Sequence, residues 1–279
     1  MKKIFTVAAV LLVALTVAAP HILKAVNGFI VEETAVDVSV YTDSPTLKKL
    51  EKGDFVLFGS YLGEPILWQV LKTESDGRVF MMTHYVIAFK AFDAAGKNDI
   101  YHKSDSEKYG SSVWVNCTLK EWLNSEETKV SYSHCPPDKK SVMGGYNAYN
   151  EEKGFLHDGN FDISLKTMIA EDGVFVPDKN MLDGISKRVK SATKTALLAN
   201  ESPYVASGMR PVWYWTITPV NSNNVSVTTV TSSGGYYKAL AYDGLTGVAP
   251  ALYLKEATVL CNGDGTFDRP YLVSGGAVR

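Results

Sequence analysis

Cysteine is scarce in this chain. Cys117, Cys135 and Cys261 are the only three in 279 residues. No CxxC pair and no Cys/His spacing accompanies them, so nothing supports a zinc site. Two alternatives stand for the thiols: one disulfide plus one free thiol in an oxidising compartment, or three buried small hydrophobes. A charge excess is also lacking. The formal net charge of −2 gives no electrostatic basis for binding nucleic acid or an anionic membrane surface. No internal repeat is visible. No catalytic motif is visible either. His84, His102, His134 and His157 sit outside any recognised signature and read as hydrogen-bonded structural residues. Cys117 precedes a helix whose dipole would lower a thiol pKa, but no Cys/His signature surrounds it. No catalytic residue, no enzyme activity and no cofactor is assigned.

What is present begins with the leader. Lys2 and Lys3 precede residues 4–23, which contain no Asp, Glu, Lys or Arg. This is the layout of an export signal, and it is long enough to cross a bilayer. Both outcomes stand, a cleaved signal or a retained anchor. Cleavage after Ala19 meets Pro20, and cleavage after Ala25 meets the bulky Leu23. With Lys2 and Lys3 held inside, the rest of the chain lies outside the membrane, secreted or anchored. No Cys near residues 15–30 supports a lipid anchor, and no apolar tail supports a second one. Loss of Lys2, Lys3 and Lys24 takes the charge from −2 to −5. The domain plan is a signal or anchor over 1–26, a tether over 27–50, and one globular domain over 51–279. In the tether, Val36, Val38 and Val40 alternate with polar residues and predict a strand.

Two apolar, aromatic runs, 55–59 and 66–72, flank Gly63-Glu64-Pro65 and predict a hairpin, with 79–83 as a third strand. Thr118 and Glu121 form a capping-box pattern before Leu119, Trp122 and Leu123, one apolar helical stripe that places Trp122 in the core. Residues 132–165 lack pattern and predict a long surface excursion. A short strand at 174–176 ends at Pro177, and Asp178 caps a short helix ending at Gly184. Residues 186–199 predict another helix, with Lys187, Arg188, Lys190 and Lys194 on its wet side. The last third predicts strands at 212–218, 225–230, 239–242 and 248–254. Pro250 makes the last an edge or bulged strand.

These motifs resemble, in order and spacing, the bacterial extracytoplasmic family "domain of unknown function 6273". Gly53, Asp54, Phe58, Gly59 and Tyr61 are followed by Pro65, Ile66, Trp68, Val70 and Leu71. Next come Trp114, Thr118, Leu119, Lys120, Trp122, Leu123 and Asn124, then Asp172, Gly173, Val174, Phe175 and Val176. The terminal signature is Trp215 to Pro219 and Gly247 to Leu252, trailed by Gly263, Gly265, Thr266, Pro270 and Tyr271. The resemblance runs discontinuously over 50–275. It implies an α+β fold of C-type-lectin-like type, related to formylglycine-generating domains. Such a fold has small, twisted, mostly antiparallel sheets, flanking helices and long loops. Ile217 and Ala249 stand where the family has arginines, so a polar site built on that pair is absent or rebuilt. Arg210 is a candidate substitute for one of them. The paired cysteines of formylglycine-generating relatives have no counterpart.

The remaining signal is an aromatic and amide surface. Trp213, Trp215, Asn221, Asn223, Tyr236, Tyr237 and Tyr242 are the candidate ligand-binding residues, suited to sugar hydroxyls or peptide backbone. The alternative places Trp213 and Trp215 in the core and the Asn residues in turns. Asn262, Asp264, Thr266 and Asp268 alternate as calcium ligands do, with Asp264 and Asp268 as weak metal candidates. No bidentate Glu follows, and a tight turn explains the run more simply. The expected function is a non-catalytic extracytoplasmic binding or surface-display module for an unknown glycan or protein ligand. The alternatives are an extracytoplasmic enzyme acting on cell-wall or glycan material, and a structural assembly subunit. The membrane is met only through the N-terminal segment.

Overall fold

The computed structural model describes residues 46–96, 105–144, 151–200, 210–220, 224–255 and 258–274. The leader and the strand expected at Val36, Val38 and Val40 lie outside them. The described residues form a mixed α+β fold, with many strands and few, short helices.

The hairpin forms as its pattern requires. Strands β1 (Thr46–Lys49), β2 (Phe55–Tyr61), β3 (Glu64–Thr73) and β4 (Val79–Thr83) open the domain. Leu62 and Gly63 turn between β2 and β3 with φ of 51° and 82°. Two consecutive positive φ values make the tight turn whose twist matches its strands. Register sets Val56 against Trp68 and Val70 against Met81, so one face of three strands is continuously apolar.

A large mixed sheet grows from this hairpin. Its order is β1-β14-β15-β2-β3-β4-β13-β6, with β6 (Ile169–Phe175), β13 (Ala251–Leu254), β14 (Thr258–Asn262) and β15 (Tyr271–Ser274). Only β15–β2 pairs parallel in it. The second sheet has the order β11-β10-β9-β12-β5, with β5 (Ala88–Phe89), β9 (Tyr214–Pro219), β10 (Ser226–Val230), β11 (Tyr236–Leu240) and β12 (Gly247–Val248). A two-residue pair joins β7 (Lys190–Ser191) to β8 (Pro211–Val212). The helices are α1 (Ser106–Tyr109), α2 (Thr118–Asn124), α3 (Ile163–Met168), α4 (Lys179–Leu182) and α5 (Lys194–Ala199).

The strand expected over 248–254 is broken rather than marginal. Gly247 and Val248 belong to the smaller sheet, while residues 251–254 sit between β4 and β6 in the larger one. Pro250 has no N–H to give a ladder, so it suits the step between sheets. Its carbonyl accepts the Thr83 N–H at 2.9 Å. Two apolar clusters result. Trp68, Trp122, Phe161, Trp215 and Leu252 share one. Phe80, Phe89, Tyr214, Ala249 and Ala251 share the other.

Other expectations need correction. Residues 132–144 and 151–162 form no named helix or strand but are not a surface excursion, because Phe155 and Phe161 are fully buried. Gly59, at φ 69°, makes room for Phe161. A Cβ there would lie 2.2 Å from the Phe161 ring. Helix α2 starts without the capping box. Cys117 Sγ accepts the Lys120 N–H at 3.4 Å, and Glu121 turns to Ser133 instead. Trp122 is in the core as its stripe requires, with its indole N–H satisfied by the Lys153 carbonyl at 3.1 Å. The helix expected over 186–199 shrinks to α5, because Thr193 caps it through the Ala196 N–H and the preceding residues are extended. Asp178 caps α4 through the Asn180 N–H at 2.8 Å, as expected.

The outer edge of β6 is closed by a side chain. Asn124 donates to the Val174 carbonyl and accepts the Val174 N–H, both at 2.9 Å, as a paired strand would. Gly173, at φ 69°, allows the approach, since a Cβ would lie 2.2 Å from Asn124 Oδ1. Asn124→Ala is expected to lower unfolding free energy by about 1–3 kcal/mol, the cost of leaving those groups unpaired. Gly59→Ala is expected to cost about 2–4 kcal/mol through overpacking and backbone strain. Urea unfolding of both variants checks these values.

Candidate functional site

The aromatic segment before and within β9 divides three ways. Tyr214 and Trp215 are fully buried, while Trp213 is 38% exposed. Trp215 donates its indole N–H to the Lys90 carbonyl at 2.7 Å and meets Phe92 at 5.7 Å, so it is core and not ligand surface. Tyr236 is also committed internally. Its hydroxyl bonds the Lys179 carbonyl at 3.2 Å and Asp183 Oδ1 at 2.9 Å. Its ring lies 5.0 Å from both the Lys179 amine and the Arg188 guanidinium. Burial and the Asp183 bond push its hydroxyl up to about 12. Tyr242 is half-buried and packs edge-on to Tyr109 at 5.7 Å. Asn221 and Asn223 lie outside the described residues.

Two of the expected residues do meet at the surface. Tyr237 is 58% exposed, and its ring stands 5.6 Å from that of Trp213 in an edge-to-face pair. Tyr237 faces Thr229 across the ladder, and Thr229 faces Trp215, which keeps the pair on the Trp215 side of the sheet. Ile217 packs against the same apolar cluster as Trp215. There a groove of about 410 Å³ is lined by Ser112, Val113, Trp114, Ile217, Pro219 and Asn224. Val113 and Val115 are exposed in the segment leading into α2. The rings and the groove present apolar area with hydroxyl and amide groups close by, a composition suited to stacking plus hydrogen bonding.

A polar chain, missed in the sequence, runs through the core. Asp93 is fully buried and accepts the Ser111 N–H at 2.8 Å and the Thr118 N–H at 3.1 Å. His134 Nε2 lies 3.5 Å from Asp93 Oδ1, and His134 Nδ1 lies 3.0 Å from Ser133 Oγ. Ser133 donates its hydroxyl and its N–H to Glu121 Oε1. The Cys117 thiol is buried beside them, and burial first, then Asp93, pushes it well up rather than down. Nearby, the fully buried Lys90 amine bonds Glu152 and lies 4.6 Å over the Trp122 ring. Burial holds that amine down against the pull of Glu152. The available signal was Lys90 and Asp93 inside the apolar run 86–94. Charges there demand partners.

Of the charge run at 187–194, Lys187 and Lys194 are exposed as expected, and Arg188 and Lys190 are not. Arg188 Nε donates to the Gly234 carbonyl at 3.0 Å. The enclosed Lys190 amine donates to the carbonyls of Thr83 and His84. Burial holds Lys190 down to about 7. His84 is held down to about 4 by burial, then by Lys190 and Lys187. Its ring packs against Phe55 at 5.3 Å and Tyr85 at 4.7 Å.

Cys117, Cys135 and Cys261 are all buried, each as a thiol and not in a disulfide. Asp264 is used by its own turn, accepting the Thr266 N–H at 3.0 Å and hydroxyl at 2.7 Å. Among the described residues no group of three His, Cys, Asp or Glu could hold a metal ion, and Asp268 joins none. Ile217 and Ala249 fall in different apolar clusters, so they are not two parts of one site here. Arg210 is exposed.

The model of the family described as Domain of unknown function (DUF6273) matches residues 76–256. The chain belongs to that family. The match starts after the first hairpin and takes in α2, β6, β9 and the residues shared between the sheets. No curated protein and no solved structure matches the chain.

The depressed Lys190 and His84 have a measurable consequence. Lys190 binds its proton at about 7 in the fold against 10.5 ordinarily. The unfolded chain then holds more protons across that window, so stability rises with pH from about 7 towards 10.5. His84, at about 4 against 6.5, adds a rise between those values. Urea unfolding is expected to show higher stability at about pH 9 than at about pH 7, by on the order of 1–2 kcal/mol from Lys190. Lys190→Met is expected to flatten that rise.

Proposed function

We propose that this protein is a non-catalytic, extracytoplasmic binding or surface-display module of a bacterial cell, with a C-type-lectin-like arrangement, recognising a glycan or a peptide. The observation that carries this reading is the exposed Trp213–Tyr237 ring pair, 5.6 Å between centroids, standing beside rings locked into the core. Exposed aromatics cost little to order on binding and offer a large stacking face. The charge-free run after Lys2 and Lys3 supports an outside location, secreted or membrane-held. Screening the protein on glycan and peptide arrays tests the reading. Trp213→Ala and Tyr237→Ala are each expected to weaken the selected ligand about tenfold or more, as hot-spot aromatics do. Stability is expected to stay within about 0.5 kcal/mol, because both rings are exposed. Binding that survives both changes would place the site elsewhere.

One observation favours a catalytic reading. Asp93, His134 and Ser133 lie in series, with His134 Nε2 3.5 Å from Asp93 Oδ1 and His134 Nδ1 3.0 Å from Ser133 Oγ, and only the serine is exposed. Such a series can take the proton from the hydroxyl during acyl transfer once the hydroxyl turns from Glu121 to the imidazole. Labelling by a fluorophosphonate probe, lost in Ser133→Ala and in His134→Asn, is the expected result for an enzyme. An unlabelled native protein removes this reading.

A further inference from the structure

Strand β11 is the outermost strand of the smaller sheet, and among the described residues no strand lies beyond it. Its open side can be assigned. The Thr231 N–H bonds the Gly235 carbonyl, and the Ala241 N–H bonds the Val225 carbonyl, each at 2.8 Å. These are hydrogen-bonded pairs at the two ends of the hairpin. Alternation then makes Thr229–Tyr237 and Val227–Ala239 bonded pairs as well. Tyr236, Lys238 and Leu240 therefore turn their N–H and C=O groups away from β10. The Leu240 carbonyl is taken by the Asp243 N–H at 3.0 Å. Lys238, exposed, lies at the centre of what remains.

The other sheet edges are closed in recognisable ways. Asn124 occupies the N–H and C=O of Val174 on β6. β1 carries Lys48 and Lys49 in succession. β5 has only two residues. Edges are normally blunted by such devices, and β11 has no proline and no bulge, and among the described residues no helix is laid along it. Its one device is Lys238. A lone lysine repels an apolar or cationic strand and attracts one with a carboxylate opposite.

We infer that β11 accepts an added strand from an extended peptide of a partner protein. An apolar or aromatic side chain of the peptide would sit beside Tyr237, and an acidic one opposite Lys238. This rests on the binding reading above and narrows its ligand class to peptide. Backbone hydrogen bonds then supply affinity, and the Trp213–Tyr237 pair and Lys238 supply the preference. A second copy of this chain fits less well, because the two-fold register centred on Lys238 opposes two lysines.

The test uses the full-length protein and a phage-displayed library of random linear peptides. Selected peptides are expected to carry Asp or Glu within an alternating apolar pattern. Lys238→Pro removes the outward N–H together with the ammonium and leaves the β10 ladder intact, whereas Lys238→Ala removes the ammonium alone, so the proline variant is expected to bind about tenfold more weakly than the alanine variant, with little loss of stability. Lys238→Glu is expected to weaken the same peptides and to select basic ones. N-methylation of the peptide at alternate positions gives a readout independent of the protein's folding, with one register abolishing binding and the other tolerated. Peptides indifferent to Lys238→Pro and to N-methylation, but lost in Tyr237→Ala, would overturn strand addition and leave the aromatic binding reading standing. Binding of glycans alone, with no peptide selected, would overturn strand addition in the same way. A homodimer broken by Lys238→Pro would also overturn the peptide occupant. Binding of neither peptide nor glycan removes both readings.

Discussion

Residues 247–254 run through two sheets, and the position of the candidate surface follows from that sharing. β12 pairs with β5 and β9, and β13 pairs with β4 and β6. The step between them has to be apolar and narrow. Ala249 is fully buried, and a Cβ on Gly247 would lie 2.6 Å from Val86 and 2.8 Å from the Trp213 carbonyl. With the sheets tied together this closely, β9 has apolar clusters on both of its faces. Tyr214 enters one cluster and Trp215 the other. Trp213, just ahead of the strand, is left at the margin, where it meets Tyr237.

The polar interior depends on the same closeness. Residues 86–94 are buried throughout, Lys90 and Asp93 included. Each charge is matched by a segment that lacks regular structure, Lys90 by Glu152 and Asp93 by the turn before α2 and by His134. Pairs of this kind add little net stability, but breaking one is costly. Their effect is to specify one path for irregular chain. Phe161, packed against Phe155 and brought in with those segments, then fills the space that Gly59 leaves open.

Legibility follows the length scale of each interaction. The strands at 55–61, 64–73 and 79–83 are readable as short apolar runs bounded by turn residues, and that at 226–230 from residues that alternate over a few positions. Leu119, Trp122 and Leu123 are readable at helical spacing. The cap of α2 departs from its local pattern, because Glu121 finds a better partner in Ser133, which is distant in sequence. The basic run at 187–194 has the composition of a solvated face, and Lys187 and Lys194 are exposed, yet Arg188 and Lys190 reach carbonyls of other elements. Of the expected contact residues, Trp213 and Tyr237 meet at the surface. Trp215 and Tyr236 are consumed by the fold, which residue type alone does not reveal.

The sequence by itself determined which segments extend, where the first hairpin turns, which helix stripe is apolar, and to which family the chain is similar. These depend on periodicity and turn chemistry within a few residues. Only the tertiary structure decided which aromatic rings reach solvent, where the buried charges find partners, and which sheet edge stays open. Those outcomes depend on elements far apart in the chain coming within hydrogen-bonding distance, and local pattern carries no record of that.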